Sequence, residues 1–369
     1  MDLMLLAPDY SPIGVIGHIS GDMEVGGEND FRFMVTRTDY EPLLELYRTY
    51  FTNASSIAGD MLTGARIAVV GTEWGGFIGK DFTDTEDEMY ELAGTTYRGY
   101  LAQKIISPKS GQDYYVVSGD IRDVVYNLLN GDGGTGSNNP SFLNVIGIQD
   151  NRVGVSVTNY QFNRYVNMND GITKMLASVG YKMVIRNEYI DEVGTYGERA
   201  IVKPIMYIEP IDDFSSQVVL SQNNKFSFQF SRTYDGINHL ICLGQGELKD
   251  RLVVHLYVDR KGVISRTQTL TGGEERTAVY DYSSVESVDE LISKGTEHLV
   301  DLVGHEQFSM NILDDDMDAK IGDYIGGKDY LTGYFIKQPI TKKILSISEN
   351  GDWSIEYSID GIEVDDDEH

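Results

Sequence analysis

Cysteine is nearly absent from this sequence: Cys242 is the only one among 369 residues. That excludes an intrachain disulfide framework and any cysteine-based zinc cluster built from one chain, so nothing in the sequence calls for an oxidising compartment. Positive charge is also scarce, with 30 Lys and Arg against 58 Asp and Glu and a formal net charge of −28. Stable wrapping of DNA and docking on an anionic membrane both need clustered basic residues, and both are disfavoured. Long apolar runs are missing too. Met1 to Leu6 is apolar but reaches Asp9 almost at once with no basic leader, which reads as neither a signal peptide nor a membrane span. The expectation is synthesis in the cytoplasm and retention there until something larger assembles.

What is present is a globular composition, 41% hydrophobic with 39 Gly, and 24 Tyr beside many Val, Ile and Thr. These residues favour strands over helices, and the length calls for roughly two to four domains. Two readings of the acid surplus stand: general solubility, or walls that repel phosphate and so ease the passage of DNA.

Ile13 to Ile19 and Phe31 to Val35 read as strands on either side of a Gly-rich turn region, Gly21 to Asn29. Tyr40 to Tyr50 has helical spacing. Strands resume at Arg66 to Gly71, Trp74 to Phe82 and Met89 to Thr95, a meander ending at Tyr97-Arg98-Gly99-Tyr100-Leu101, with Tyr97 to Pro108 taken as a strand and its exit. Arg122 to Asn130 reads as a helix stopped by Gly131, and 131–140 as a flexible loop. Met168, Ile172, Met175, Leu176 and Val179 share one helical face, with strands following at Tyr181 to Arg186 and Ala200 to Glu209. Phe226, Phe228 and Phe230 alternate with polar residues, and Arg251 to Asp259 alternates likewise. Val288 to Leu302 reads as an amphipathic helix with Leu291, Ile292, Leu299 and Leu302 inward. Strands and turns then lead from Phe308 to Ile359, before an acidic tail, Glu363 to Glu368.

Candidate chemistry is thin. Asp314, Asp315, Asp316 and Asp318 invite a calcium site, but an EF-hand loop starting at Asp314 needs Gly where Ala319 stands and Glu where Ile325 stands. A solvated acidic turn accounts for them better. His239 and Cys242 resemble a thiol–imidazole pair only in spacing, because Leu240, Ile241 and Leu243 make the segment apolar. His298 and His305 are seven apart without a third ligand. No nucleophile elbow, phosphate loop, dinucleotide fingerprint or HExxH helix occurs, and no carboxylate pair stands in a glycosidase framework. The expectation is no catalytic, cofactor-binding or metal residue.

The stretch Gly71-Thr-Glu-Trp-Gly-Gly-Phe-Ile, then Gly94-Thr-Thr-Tyr-Arg-Gly-Tyr-Leu-Ala-Gln-Lys-Ile-Ile-Ser-Pro108, then Gly111-Gln-Asp-Tyr-Tyr-Val-Val-Ser-Gly-Asp120, resembles the tail-hub or tail-associated structural proteins of siphophages infecting Gram-positive bacteria. Ile13 to Ile16, Phe31 to Met34, Gly180-Tyr181, Phe226 to Asn238 and Gly322-Asp323 follow in the same order, so the likeness spans nearly the whole chain. Gly94 and Gly99 read as turn residues, Arg98 and Trp74 as packing and hydrogen-bonding anchors. The resemblance implies a mainly β fold with α+β inserts: two tube-forming β-barrel domains plus two lateral α+β domains, baseplate-hub-like. Its domains would be a first barrel over 1–106 completed by 207–250, a lateral insert over 107–206, a second lateral unit over 251–305, and a second barrel with the acidic tail over 306–369. It further implies a non-enzymatic homotrimeric ring at the virion tail tip, gating the DNA channel. The implied partners are itself, the distal tail protein ring, the tape-measure protein, tip or receptor-binding proteins, and phage DNA passing without specific binding. A cell-wall hydrolase and a carbohydrate-binding receptor protein are the rival readings.

Overall fold

The computed structural model describes residues 2–53, 64–84, 89–131, 141–194, 197–215, 226–232, 236–259, 263–303, 306–313, 318–328 and 335–359. The chain divides into two compact units, Met1–Ser227 with Asn311–Ile359, and Phe228–Met310. Strand is the main element type, as the Tyr, Val, Ile and Thr content predicts.

The larger unit opens with β1 (Leu3–Leu6), β2 (Pro12–Ile16), β3 (Ile19–Val25), β4 (Asp30–Thr36), α1 (Arg37–Asn53), β5 (Arg66–Ala68), β6 (Gly75–Asp84) and β7 (Met89–Thr96). There follow α2 (Tyr97–Ala102), β8 (Ile105–Ile106), β9 (Tyr115–Asp120), α3 (Ile121–Leu129), β10 (Gly147–Ile148), β11 (Ser156–Phe162), β12 (Val166–Asn167), α4 (Met168–Ala177), β13 (Tyr181–Gly194) and β14 (Gly197–Pro210). Through β15 (Phe226–Arg232) the chain passes into the smaller unit, made of β16 (His239–Leu243), β17 (Val253–Val258), β18 (Ile264–Ser265), β19 (Thr277–Asp281) and α5 (Val288–Leu302). It returns through β20 (Glu306–Leu313) to β21 (Tyr324–Lys328), β22 (Phe335–Pro339), β23 (Lys342–Ile347) and β24 (Trp353–Ile359).

One antiparallel sheet organises the larger unit, in the order β24-β23-β3-β4-β7-β6-β5-β1-β2. Strong alternation builds it. In β4, Phe31, Phe33 and Val35 are buried while Asp30 and Arg32 face out. Pairing of Leu345 with Met23 puts the last strands of the chain in one sheet with the first. Among the described residues the sheets are open, where the resemblance implies closed barrels. Short β2 sits at the sheet's end, and Leu43 of α1 packs over its Gly14. A covering helix spares an edge the need for a further strand.

Three sequence-based assignments are corrected. The supposed turn region from Gly21 is strand as far as Val25, and only Gly26 to Asn29 turns, with φ of +109° and +61° at its two ends. Gly21 is there because a Cβ would lie 2.1 Å from the Arg32 carbonyl oxygen, so glycine lets β3 and β4 approach. Likewise Tyr97 to Ala102 is helix, not strand. Thr96 caps it, its hydroxyl accepting from the Gly99 N–H at 3.4 Å, and local capping overrides the aromatic/polar alternation. Gly94 is no turn residue either: it lies inside β7, where a Cβ would meet the Phe77 carbonyl oxygen at 2.0 Å.

The α+β part of the larger unit packs Leu101, Leu128, Phe162, Ile172, Met175 and Leu176 into one buried cluster. Asp120 caps α3 through the Arg122 N–H and also accepts from the Gly154 N–H at 2.7 Å. Asn167 caps α4, and Gly180 at φ +76° follows it. β13 and β14 pair without a break from Tyr181 with Pro210 to Gly194 with Gly197. In the smaller unit the sheet order is β18-β17-β16-β19, with β16 and β19 parallel. Leu291 and Leu299 of α5 bury against one face of it, and Ile292 and Leu302 are partly buried beside them, as the helical spacing predicts. The 131–140 loop beyond Gly131, the side chains of Phe226, Phe228 and Phe230, and the acidic tail lie outside the described residues.

Candidate functional site

The most concentrated polar chemistry lies inside the larger unit. Glu73, in the turn between β5 and β6, is buried and accepts a hydrogen bond from Lys343 Nζ of β23 at 2.8 Å. Arg98 of α2, only 3% exposed, approaches Glu73 at 3.9 Å and donates to the Met183 carbonyl of β13 at 2.5 Å. Lys343 also lies 5.3 Å from the ring centres of both Trp74 and Tyr357, so its charge is shared between a carboxylate and two aromatic faces. Burial pushes the Glu73 carboxyl up, but Lys343 and Arg98 outweigh that and hold it below the ordinary carboxylate value. Burial pulls Arg98 down, against the attraction of Glu73.

A second buried pair stands nearby in the same unit. Lys182 of β13 bonds Asp323 and, at 2.8 Å, Asp212. Asp323 is fully buried and also accepts from the backbone N–H groups of Lys320 (2.7 Å) and Asp212 (2.8 Å). Asn187 of β13 completes the arrangement, its amide nitrogen reaching the Thr72 carbonyl at 3.1 Å and the Trp74 carbonyl at 3.0 Å. These charges join segments far apart in sequence: the β5–β6 turn, α2, the β13–β14 hairpin, the Asp323 turn and β23. Their partners are one another and backbone groups, an arrangement that fixes a fold.

Of these residues the sequence singled out Arg98 and Trp74, and the structure places both here as anchors. Lys343 escaped notice, although a signal existed. It shares the parity of buried Leu345 and Ile347 in β23, so a lysine stands where the alternation expects an apolar side chain.

The structure separates the other candidates. Cys242 is buried among Leu240, Val254 and Leu256 on the α5 side of the sheet, and burial pushes its thiol up. His239, an odd number of residues away along the same strand, faces the opposite side. It hydrogen-bonds Glu275, Thr277 and His255 instead. The two residues therefore form no pair. His298 stacks on Tyr280 at 4.2 Å, while His305 and Asp314 to Asp316 lie outside the described residues. Asp318 is ion-paired with Lys320. Among the described residues no three His, Cys, Asp or Glu side chains are grouped to hold a metal. No helix among them is long and apolar enough to cross a membrane.

No family model and no curated protein matches the sequence. Solved structures do. The tail protein from Neisseria meningitidis MC58 superposes with a TM-score of 0.50 over 97% of this chain and 96% of its own, at 12% identity. The 43 kDa tail protein of prophage MuSo2 from Shewanella oneidensis gives a TM-score of 0.49 over 98% of each chain, at 10% identity. A prophage tail protein from Listeria monocytogenes EGD-e gives 0.44 over 99% and 96%, at 9% identity.

Proposed function

We propose that this chain, which folds over nearly its whole length like a phage tail protein, is a structural hub subunit of a phage tail tip. The observation that carries the reading is the superposition on the meningococcal tail protein, which takes in 97% of this chain and so covers both units rather than one common motif. The buried ion pairs support it, because they are spent on tying the fold together.

In this reading the subunit is non-enzymatic and assembles as a homotrimer, a ring being the natural closed form of one heterologous interface. The ring joins the distal tail protein ring to the tip, meets the tape-measure protein and the tip or receptor-binding proteins, and gates the channel through which DNA leaves. Segments 1–106, with the stretch from 207 that precedes β16, and 306–369 are assigned to the tube, segment 107–206 to a lateral position, and β16 to β19 with α5, which share one sheet and its cover, to the second lateral position. The protein resides in the virion of a siphophage of a Gram-positive host after synthesis in the host cytoplasm. Reconstruction of an intact tail tip tests this: three copies around the tube axis are expected, and a dimer or six equivalent copies overturns the trimer. Purified chain is expected to leave peptidoglycan undigested in a zymogram, and clearing would favour a wall hydrolase.

A further inference from the structure

We propose that Glu275, His239 and His255 form a proton-responsive chain in the smaller unit, one that takes up a single proton with its hydrogen bonds intact and comes apart on a second. The inference is independent of the tail-hub reading.

Strand alternation sets the chain up. His239 of β16 and His255 of β17 both point to the sheet face opposite α5. His239 is 7% exposed, and both of its ring nitrogens are engaged. Nδ1 lies 2.7 Å from Glu275 Oε1 and 3.0 Å from Thr277 Oγ1, and Nε2 lies 2.8 Å from His255 Nδ1. The rings are stacked, His239 on Tyr257 at 4.4 Å and on His255 at 5.1 Å between centres. Glu274 and the exposed Arg276 flank Glu275 in sequence, and the Arg251–Asp281 ion pair lies at the far end of β16, where Leu243 faces Asp281. Tyr257 and Thr277 stand directly across from His239 on the two neighbouring strands.

An ionised carboxylate only accepts hydrogen bonds, so the proton between Glu275 and His239 sits on Nδ1. Neutral His239 then offers a lone pair at Nε2, and His255 must donate its Nδ1–H to it. An incoming proton binds His255 at Nε2. The Nδ1 proton can then cross to His239 Nε2, leaving the positive charge beside the Glu275 carboxylate and every hydrogen bond in place. A second proton taken up by the two rings, as distinct from one taken up by the Glu275 carboxylate, has no such route. Both facing nitrogens would carry hydrogen, and two imidazolium rings would meet at hydrogen-bond distance with no acceptor between them. Because the two histidines sit on adjacent strands, that repulsion acts across the β16–β17 pairing itself.

The test is long-range ¹H–¹⁵N NMR of the ring nitrogens in the full chain between about pH 8 and pH 4, the span in which histidine charge changes, with amide exchange followed in β16 and β17. The expected result is one joint step in which both rings shift together and the His239 Nδ1–H persists. A separate second step should coincide with at least a tenfold loss of amide protection in the two strands. His255→Asn should abolish the second step and the loss of protection, and Glu275→Gln should move the joint step to lower pH. Independent titration of the two rings, each indifferent to substitution of the other, would overturn the proposal. So would protection that stays constant through both steps. If His255→Asn does not fold, as judged by circular dichroism, the Glu275→Gln shift and the wild-type exchange profile still decide it.

Discussion

Single residues in the larger unit carry unusually high stakes because charge is buried there. Replacing Lys343 by Met leaves Glu73 ionised without its nearest partner, and breaking a buried pair from one side costs about 3–5 kcal/mol. Denaturant unfolding should show a loss of that order for Lys343→Met and for Arg98→Ala. The double variant Lys343→Met with Glu73→Gln should recover part of it, since no bare charge remains. A pH dependence follows from the same site. Glu73 has a folded value below the ordinary 4.5, so its contribution is present above that value and is lost as pH falls through the folded value. Acid unfolding of Glu73→Gln should therefore be less steep than that of the wild type. Asn187→Ala removes the side-chain donor shared by the Val69, Thr72 and Trp74 carbonyls, each of which keeps a backbone N–H donor, so by the same measurement the loss should be that of ordinary hydrogen bonds, about 0.5–1.5 kcal/mol each.

At the scale of elements, local signals decided where helices start and long-range contacts decided what became strand. The span of α3 with its stop at Gly131, the apolar face of α4 and the inward stripe of α5 were legible because each depends on residues within one or two turns. α2 misled because six residues are too few to show a helical period, and its aromatic residues suit a strand equally well. Its cap makes a specific prediction: Thr96→Ala should destabilise by about 0.5–2 kcal/mol, since the hydroxyl both caps α2 and donates to the Asn29 carbonyl at 3.0 Å. Gly94→Ala tests the close strand approach. The added methyl meets backbone at 2.0 Å, which cannot yield like a side chain, so thermal melting should fall far more than for an alanine at open Gly154 after allowance for Gly154's φ of +81°.

For the whole molecule the dominant quantity is the charge of −28. Copies that carry it repel one another, and salt screens that repulsion over roughly 8–10 Å at physiological strength. Self-association measured by sedimentation should therefore strengthen as ionic strength rises, and association that weakens with salt would point to an interface made of opposite charges. Within the proposed ring, Asp and Glu should outnumber Lys and Arg on the channel wall, because basic walls would exchange counterions for phosphate contacts and slow the passage of DNA. Counting both kinds along the bore of a reconstructed tip decides this, and a neutral or basic bore would leave solubility as the explanation for the acid.

The sequence by itself determined composition class, the prevalence of strand, most helix positions and the poverty of reactive motifs, because these follow from side-chain chemistry and from spacing within a few residues. Only the tertiary structure decided that β23 lies beside β3, that Lys343 meets Glu73, and that His239 meets His255 rather than Cys242. Each of those depends on strand pairing between residues far apart in the chain. Pairing is fixed by which apolar faces bury together and in what register, and a one-residue shift would turn every side chain of a strand to the other face.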